Sequence, residues 1–263
     1  ILPRGADEKV TAMIRVPEFG TEKLYLCMLI KNGVIKRTEL DAYKNVRKNG
    51  IFAINLDEGH ELRFVKLTDG EKQILIATRK GVCISCNEND ARCIARTARG
   101  VKAITLSEGD EIAGMCVPEE NKKVLTVSET GFGRRSEFDN YRVQSRGGKG
   151  LINYHTETYG DVAAVAMVGE DEDVIMISSD GIIIRIPAKD ISVFARPSKG
   201  VRVMKTNEGE KVATLSITEH ETEDESSESD AENGGEVPVT KENAEGEKAA
   251  EADESKENPT EIG

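Results

Sequence analysis

Four glycines stand at positions 50, 100, 150 and 200, each closing a basic turn that runs into an apolar segment. The turns read Arg47-Lys48-Asn49-Gly50, Arg96-Thr97-Ala98-Arg99-Gly100, Gln144-Ser145-Arg146-Gly147-Gly148-Lys149-Gly150 and Arg196-Pro197-Ser198-Lys199-Gly200. Glycine lets backbone N–H groups approach a ligand closely, and arginine or lysine adds charge, so a turn of this kind suits phosphate. One charged glycine turn on a surface is usually just a solvated turn. Four at a fixed period carry more, because they repeat the same chemistry in every copy of one structural unit. If the copies form a ring, the turns fall on one rim and make a curved cationic track for a polyanion bent around the edge. The candidate contacts are Arg47 and Lys48; Arg96, Arg99 and Lys102; Arg142, Gln144, Arg146, Gly147, Gly148, Lys149 and Gly150; and Arg196, Lys199 and Arg202. Arg134 and Arg135, which follow a hairpin glycine, join them, with Lys36-Arg37, Arg79-Lys80 and Arg185 as supporting cations. No recognition helix is apparent, so contacts should go to the backbone of a duplex and be largely independent of its sequence.

The elements that hold these turns repeat with them. A second glycine series, at 33, 81, 131 and 181, separates pairs of β-rich runs: 24–30 from 34–35, 74–77 from 82–84, 124–127 from the run after Gly131, and 174–177 from 182–186. A polar residue and glycine between β-branched runs signal a tight hairpin. A third strand follows each basic turn, then a small acidic turn such as Asp57-Glu58-Gly59 or Asn207-Glu208-Gly209, then a fourth strand such as 62–67 or 212–217. Helical periodicity is absent from 1–218. Four short strands per copy describe an all-β, propeller-like ring of four-stranded blades, in which neighbours supply the core that one blade cannot make alone. An open series of β-sandwiches is the other arrangement, and it would leave long edges to protect. Tyr43 and Tyr141, before two of the basic turns, read as corner packing rather than base-stacking residues.

The 263 residues include 38% hydrophobic ones, enough for a core, but no tryptophan. The formal charge of −12 is unevenly placed: from Glu219 onward there are 17 acidic residues and 3 lysines, which leaves positions 1–218 near +2. A near-neutral body (1–218) followed by a disordered acidic tail (219–263) is expected, because an acid-rich stretch without aromatics cannot bury enough surface to offset chain entropy. No apolar run approaches the ~18–20 residues that span a bilayer. The chain starts at Ile1, and Ile1-Leu2 reads as the end of an earlier strand, so a fragment is expected. Catalysis finds no support. His60, His155 and His220 are far apart, and the Cys83-Ile84-Ser85-Cys86 pair would point to opposite faces of a strand, so no metal site is expected. The five cysteines suit reduced thiols in a cytosol.

The segment Gln144-Ser145-Arg146-Gly147-Gly148-Lys149-Gly150 resembles the gyrase-A box, Gln-Arg-Arg-Gly-Gly-Lys-Gly, with Ser145 in place of an arginine. Gly131-Phe132-Gly133-Arg134-Arg135, Tyr141-Arg142-Val143 and Arg96-Thr97-Ala98-Arg99-Gly100-Val101 are likewise similar to the carboxy-terminal part of the DNA gyrase A family, over about residues 8–217. The resemblance implies a β-pinwheel, a propeller-like ring with exchanged strands, that wraps double-stranded DNA around its rim. It implies partners too: the gyrase A core and gyrase B in an A2B2 complex that uses ATP and Mg2+, neither of which this fragment would bind. The location implied is a bacterial cytoplasm, at the nucleoid. The box normally belongs to the first of six blades, whereas here it falls in the third of four units, so a first blade and the cleavage module are expected upstream. The alternatives are the homologous topoisomerase IV domain, whose boxes are degenerate, and a protein-binding β-propeller.

Overall fold

The computed structural model describes residues 10–220. Within them the hairpins form where glycine separates the β-branched runs: β1 (Tyr25–Ile30) with β2 (Val34–Glu39), β4 (Gln73–Thr78) with β5 (Val82–Asn87), β8 (Lys123–Ser128) with β9 (Phe132–Ser136), and β12 (Glu172–Ser178) with β13 (Ile183–Pro187). A fourth-strand partner adds to each hairpin from the same repeat: β3 (Leu62–Thr68) on β1, β7 (Ile112–Cys116) on β4, β11 (Val162–Val168) on β8 and β15 (Val212–Glu219) on β12. These four are the inner strands, each in contact with its counterpart in a neighbouring blade. Helix is confined to the four-residue α1 (Thr156–Tyr159) and to short 3-10 turns after each hairpin.

The third strands depart from a simple four-strand copy. The short β6 (Val101–Lys102), β10 (Leu151–Ile152) and β14 (Val201–Arg202) do not join the hairpins of their own repeats. Each pairs with the outer strand of the preceding blade, β6 on β2, β10 on β5 and β14 on β9. Three blades thus contain four strands and the last contains three, β13-β12-β15. Among the described residues no strand pairs with the outer edge of β13, and residues 51–54, the counterpart of the exchanged strands in the first repeat, form no strand. Phe52 accordingly stands 83% exposed and Ile183 64% exposed.

The core lies between blades rather than within them. Cys27, Leu29 and Ile35 of the first blade pack on Ile74, Ile76 and Ile84 of the second. Leu75, Ala77 and Cys83 meet Val124, Val162 and Val165 across the next boundary, and Leu125, Val127 and Val168 meet Val174 and Met176 across the last. Near the inner strands the backbone also crosses between blades: Ile112 N–H donates to Lys31 O, Val162 N–H to Arg79 O and Val212 N–H to Glu129 O. Side chains follow the same path, with Lys31 and Arg79 on Glu111, and Arg79 and Lys211 on Glu129.

Two residues assigned to the tail belong to the body. Glu219 ends β15 opposite Glu172, and His220 Nδ1 lies 2.7 Å from Asp173 Oδ1. The strand partner and the carboxylate hold them in place, although both remain exposed. The expected disorder of the remaining acidic residues, and the reading of Ile1-Leu2, concern residues outside those described.

Candidate nucleic-acid interface

Each of the last three basic turns hangs on the outer edge of the blade before it. The chain arrives in a short parallel bridge, Cys93 beside Arg37, Val143 beside Ser85 and Val193 beside Arg135. One residue further on, the N–H of Ile94, Gln144 and Phe194 donates to the carbonyl of Arg37 (2.9 Å), Ser85 (2.7 Å) and Arg135 (2.9 Å). The chain then turns at the glycine and leaves as the antiparallel β6, β10 or β14. Pinned at entry and exit, the turn is forced onto the rim at a blade boundary. The glycine makes this possible: at Gly100 (φ 104°) a Cβ would lie 2.6 Å from Ile35 O, and Gly150 and Gly200 sit in the same way over Cys83 and Gly133. The first turn has no preceding blade among the described residues, and nothing lies within 4 Å of a Cβ at Gly50.

The turn carrying Gln144–Gly150 has additional support. Gly147 N–H donates to Ala103 O (2.6 Å), Thr105 N–H to Gly148 O (2.9 Å), and Thr105 Oγ1 to Gly147 O (2.8 Å). This double-glycine segment therefore lies along the exit strand of the turn before it. Pro197, at the position matching Gly147, has no N–H to make the same bond.

The predicted contact residues separate into three groups. Arg47, Lys48, Lys102, Arg142 and Lys149 are exposed, and their side chains have no ion pair or hydrogen bond among the described residues. Arg99 is exposed as well, 3.2 Å from Asp57 in an exposed pair of the kind that contributes little to stability. In the second group the cations are outside but engaged. Arg96, Arg146 and Arg196 donate to backbone carbonyls, Lys199 Nζ lies 3.8 Å from the centroid of the Phe132 ring, and Arg202 lies 4.3 Å from it. Tyr154 Oη donates to Lys199 O from below. The backbone N–H groups of Gln144 and Gly147 are spent within the protein, so at those two positions the phosphate-cradling role expected of the turn is not available.

Arg134 and Arg135 form the third group, and here the expectation must be corrected. Arg134 is fully buried, its Nη2 held by Asn153 O (2.7 Å) and Asn153 Oδ1 (3.0 Å), while Nε and Nη1 have no partner. Burial lowers its pKa. Arg135, 4% exposed, donates to Ile191 O and Lys189 O and pairs with Glu170. Neither side chain can meet a phosphate on the rim. Most of the supporting cations follow suit: Lys36 and Arg37 are buried, Arg79 is paired with Glu111 and Glu129, and Arg185 with Asp173, while Lys80 stays exposed with its Nζ on Glu108 O (2.9 Å). The strand register explains Lys36, Arg37, Arg134 and Arg135: residues three and four places after a hairpin glycine lie in the outer strand, under the segment that the next repeat lays across it.

Lys36 is the functional neighbour that sequence reasoning misplaced. Its Nζ donates to Ala53 O (2.7 Å) and to Arg96 O, tying the first basic turn to the second. Burial, and then the Arg96 charge, push its pKa down to about 8. The signal was its place in a period-2 strand pattern, at the position that carries Ile84 and Ile184 in other repeats. Tyr43 and Tyr141 do pack at corners, with Oη donating to Ala53 O (3.1 Å) and Asn153 Oδ1 (3.0 Å). The Cys83 and Cys86 thiols are raised by burial to about 12 and about 11, which suppresses thiolate chemistry.

An all-β propeller whose blades are completed by a strand from the next repeat defines a strand-exchanged, pinwheel-type class of domain. The family described as "DNA gyrase C-terminal domain, beta-propeller" matches residues 25–69, 72–115, 122–168 and 172–219, and the chain belongs to that family. The DNA gyrase A protein of Halalkalibacterium halodurans is 46% identical over 94 residues, 36% of this chain and 11% of that protein. The Clostridium acetobutylicum gyrase A protein is 43% identical over 100 residues, 38% of this chain and 12% of the relative. The matched segment is thus about a tenth of the curated relatives' length. Among solved structures, the C-terminal domain of DNA topoisomerase IV superposes with a TM-score of 0.76 at 22% identity, covering 83% of this chain and 68% of that one. The DNA gyrase A C-terminal domain gives 0.66 at 24%, covering 75% and 67%. At those identities the two superpositions speak to fold alone.

Proposed function

We propose that this chain binds duplex DNA along its basic turns and bends it around the rim, as the carboxy-terminal part of gyrase A. In the assembled enzyme, with the gyrase A core and gyrase B, this wrapping would serve ATP-dependent negative supercoiling at the bacterial nucleoid. The observation that carries the reading is the recurrence of exposed, unpaired cations at corresponding blade boundaries, Lys102 and Lys149 among them, on turns pinned at both ends. Membership of the gyrase family supports it. The Arg146-Gly147-Gly148-Lys149-Gly150 run favours gyrase over topoisomerase IV, and a chain without tryptophan lacks the aromatic signals of kelch-type protein-binding blades. Phosphate contacts make affinity fall linearly with salt on logarithmic axes, with a slope near −0.9 for each phosphate neutralised. A salt titration of duplex binding is the test. Replacing both Lys102 and Lys149 by alanine should make the slope shallower by about 1–2 and weaken all duplex sequences alike. Binding that ignores salt, or that fails for one sequence only, would reject the reading.

A further inference from the structure

One residue type recurs at each blade boundary and, although exposed or half-buried, donates to backbone carbonyls of the protein. Arg96 Nη1 donates to Phe52 O (2.7 Å), Arg146 Nη1 to Lys102 O (2.9 Å) and Arg196 Nη1 to Ile152 O (3.0 Å). In each case the acceptor is the second residue after the glycine of the preceding basic turn. Two of the three guanidinium groups hold a further carbonyl with Nε: Arg146 takes Asp90 O (2.7 Å) and Arg196 takes Asn140 O (2.8 Å). Arg196 also lies over the Tyr141 ring, 5.8 Å from its centroid. The first boundary has Lys36 in the supporting place, through Ala53 O and Arg96 O.

We propose that Arg96, Arg146 and Arg196 are positioning residues, each clasping its own basic turn to the turn before it, so that the path DNA follows along the rim is set at every blade boundary. This rests on the DNA-wrapping reading. A planar guanidinium fork can bridge two carbonyls at fixed angles, whereas a lysine offers one point charge on a flexible stem. The acceptors are uncharged, so the clasp leaves the arginine's positive charge in place. Charge and geometry can therefore be separated by substitution. Bending a duplex is unfavourable and must be offset by contacts along the whole arc, so a loosened spacing between turns weakens wrapping more than it weakens any one contact.

The test compares Arg146→Lys and Arg146→Ala with the unaltered chain on two DNAs. One is a short duplex that reaches a single turn; the other, about 100 bp, can reach several turns and carries an energy-transfer pair at its ends. Expected for Arg146→Lys, which keeps the charge, is an unchanged salt slope on the short duplex; both variants should show about a tenfold loss of affinity and loss of end-to-end compaction on the long one. If Arg146→Lys wraps like the unaltered chain while Arg146→Ala loses about 0.9 from the short-duplex slope, Arg146 is a phosphate ligand and the proposal falls. Full wrapping by both variants also overturns it. Arg96→Lys and Arg196→Lys repeat the measurement at the other boundaries, which covers the case in which position 146 alone fails to fold. Absence of salt-dependent binding by the unaltered chain would strike the DNA reading itself, a separate outcome.

Discussion

Lys36 and Arg134 occupy the same place in their repeats, three residues after the hairpin glycines Gly33 and Gly131, and both are fully buried. Burying a cation is costly, and each is offset by carbonyls of the segment that follows its own basic turn, Ala53 O and Asn153 O. For Lys36 this has a pH consequence. Its pKa falls to about 8 in the fold against an ordinary 10.5, so below pH 8 both folded and unfolded chains carry the proton and the full cost is present. Between about 8 and 10.5 the folded chain releases the proton first, and stability rises with pH. In chemical denaturation across that window, the unaltered chain should gain stability relative to Lys36→Met, a variant without the titrating group; a flat difference would remove Lys36 from the account. The rim glycines supply a second test at this scale. Gly100→Ala should cost about 2–4 kcal/mol, since strained backbone is joined by a Cβ in contact with Ile35 O. Gly50→Ala, with positive φ but open space, should cost about 1–2 kcal/mol. Equal losses in urea melts would mean that the close approach of the exchanged strand contributes nothing.

At the scale of elements, the exchanged strand ties each repeat to its neighbour with very few residues. β6, β10 and β14 are two residues each, yet each closes the outer edge of a strand that would otherwise present unpaired N–H and C=O groups. The outer strand of the fourth blade shows what happens without one: Ile183 is 64% exposed, whereas the corresponding Gly133 is buried beneath Val201. Backbone amides of β13 should therefore exchange with solvent faster than those of β2, β5 and β9, by about an order of magnitude or more. Peptide-level hydrogen exchange measures this directly. Protection of β13 equal to that of β9 would show that its edge is covered in solution.

At the scale of the whole molecule, wrapping is a property of several turns together. A duplex long enough to meet three boundaries should bind much more tightly than one that meets a single boundary, because bending must be offset by contacts along the arc. Equal affinity for the two lengths would leave simple adhesion in place of wrapping. The acidic sequence after His220 adds a competitor to the same balance. Covalent attachment raises a segment's local concentration, so this polyanion should compete with DNA for the cations of the rim. Deleting residues 221–263 should tighten DNA binding at low salt, and the gain should shrink as ions screen both competitors. Unchanged affinity across the salt series would make the acidic stretch a bystander.

Much of this was determined by sequence alone, for a local reason. Turn glycines and β-branched runs act within a few residues and, repeated at a near-fifty spacing, they specified the hairpins at Gly33, Gly81, Gly131 and Gly181 as well as the all-β class. The basic turns and their exposed lysines were legible in the same way. What tertiary structure decided is everything that depends on which blade a strand joins. Val101-Lys102 satisfies hairpin chemistry on its own blade or on the preceding one equally well, and local pattern does not distinguish them. Only the assembled blades bring Ile35 beneath Gly100 and Arg37 beside Cys93. That choice turned Arg134 and Arg135 from surface cations into buried supports, because a segment of the next repeat lies beside them, with Val193 bridged to Arg135. It also gave Arg96, Arg146 and Arg196 carbonyl partners 44 residues upstream, a distance over which residue type carries no information but packing does.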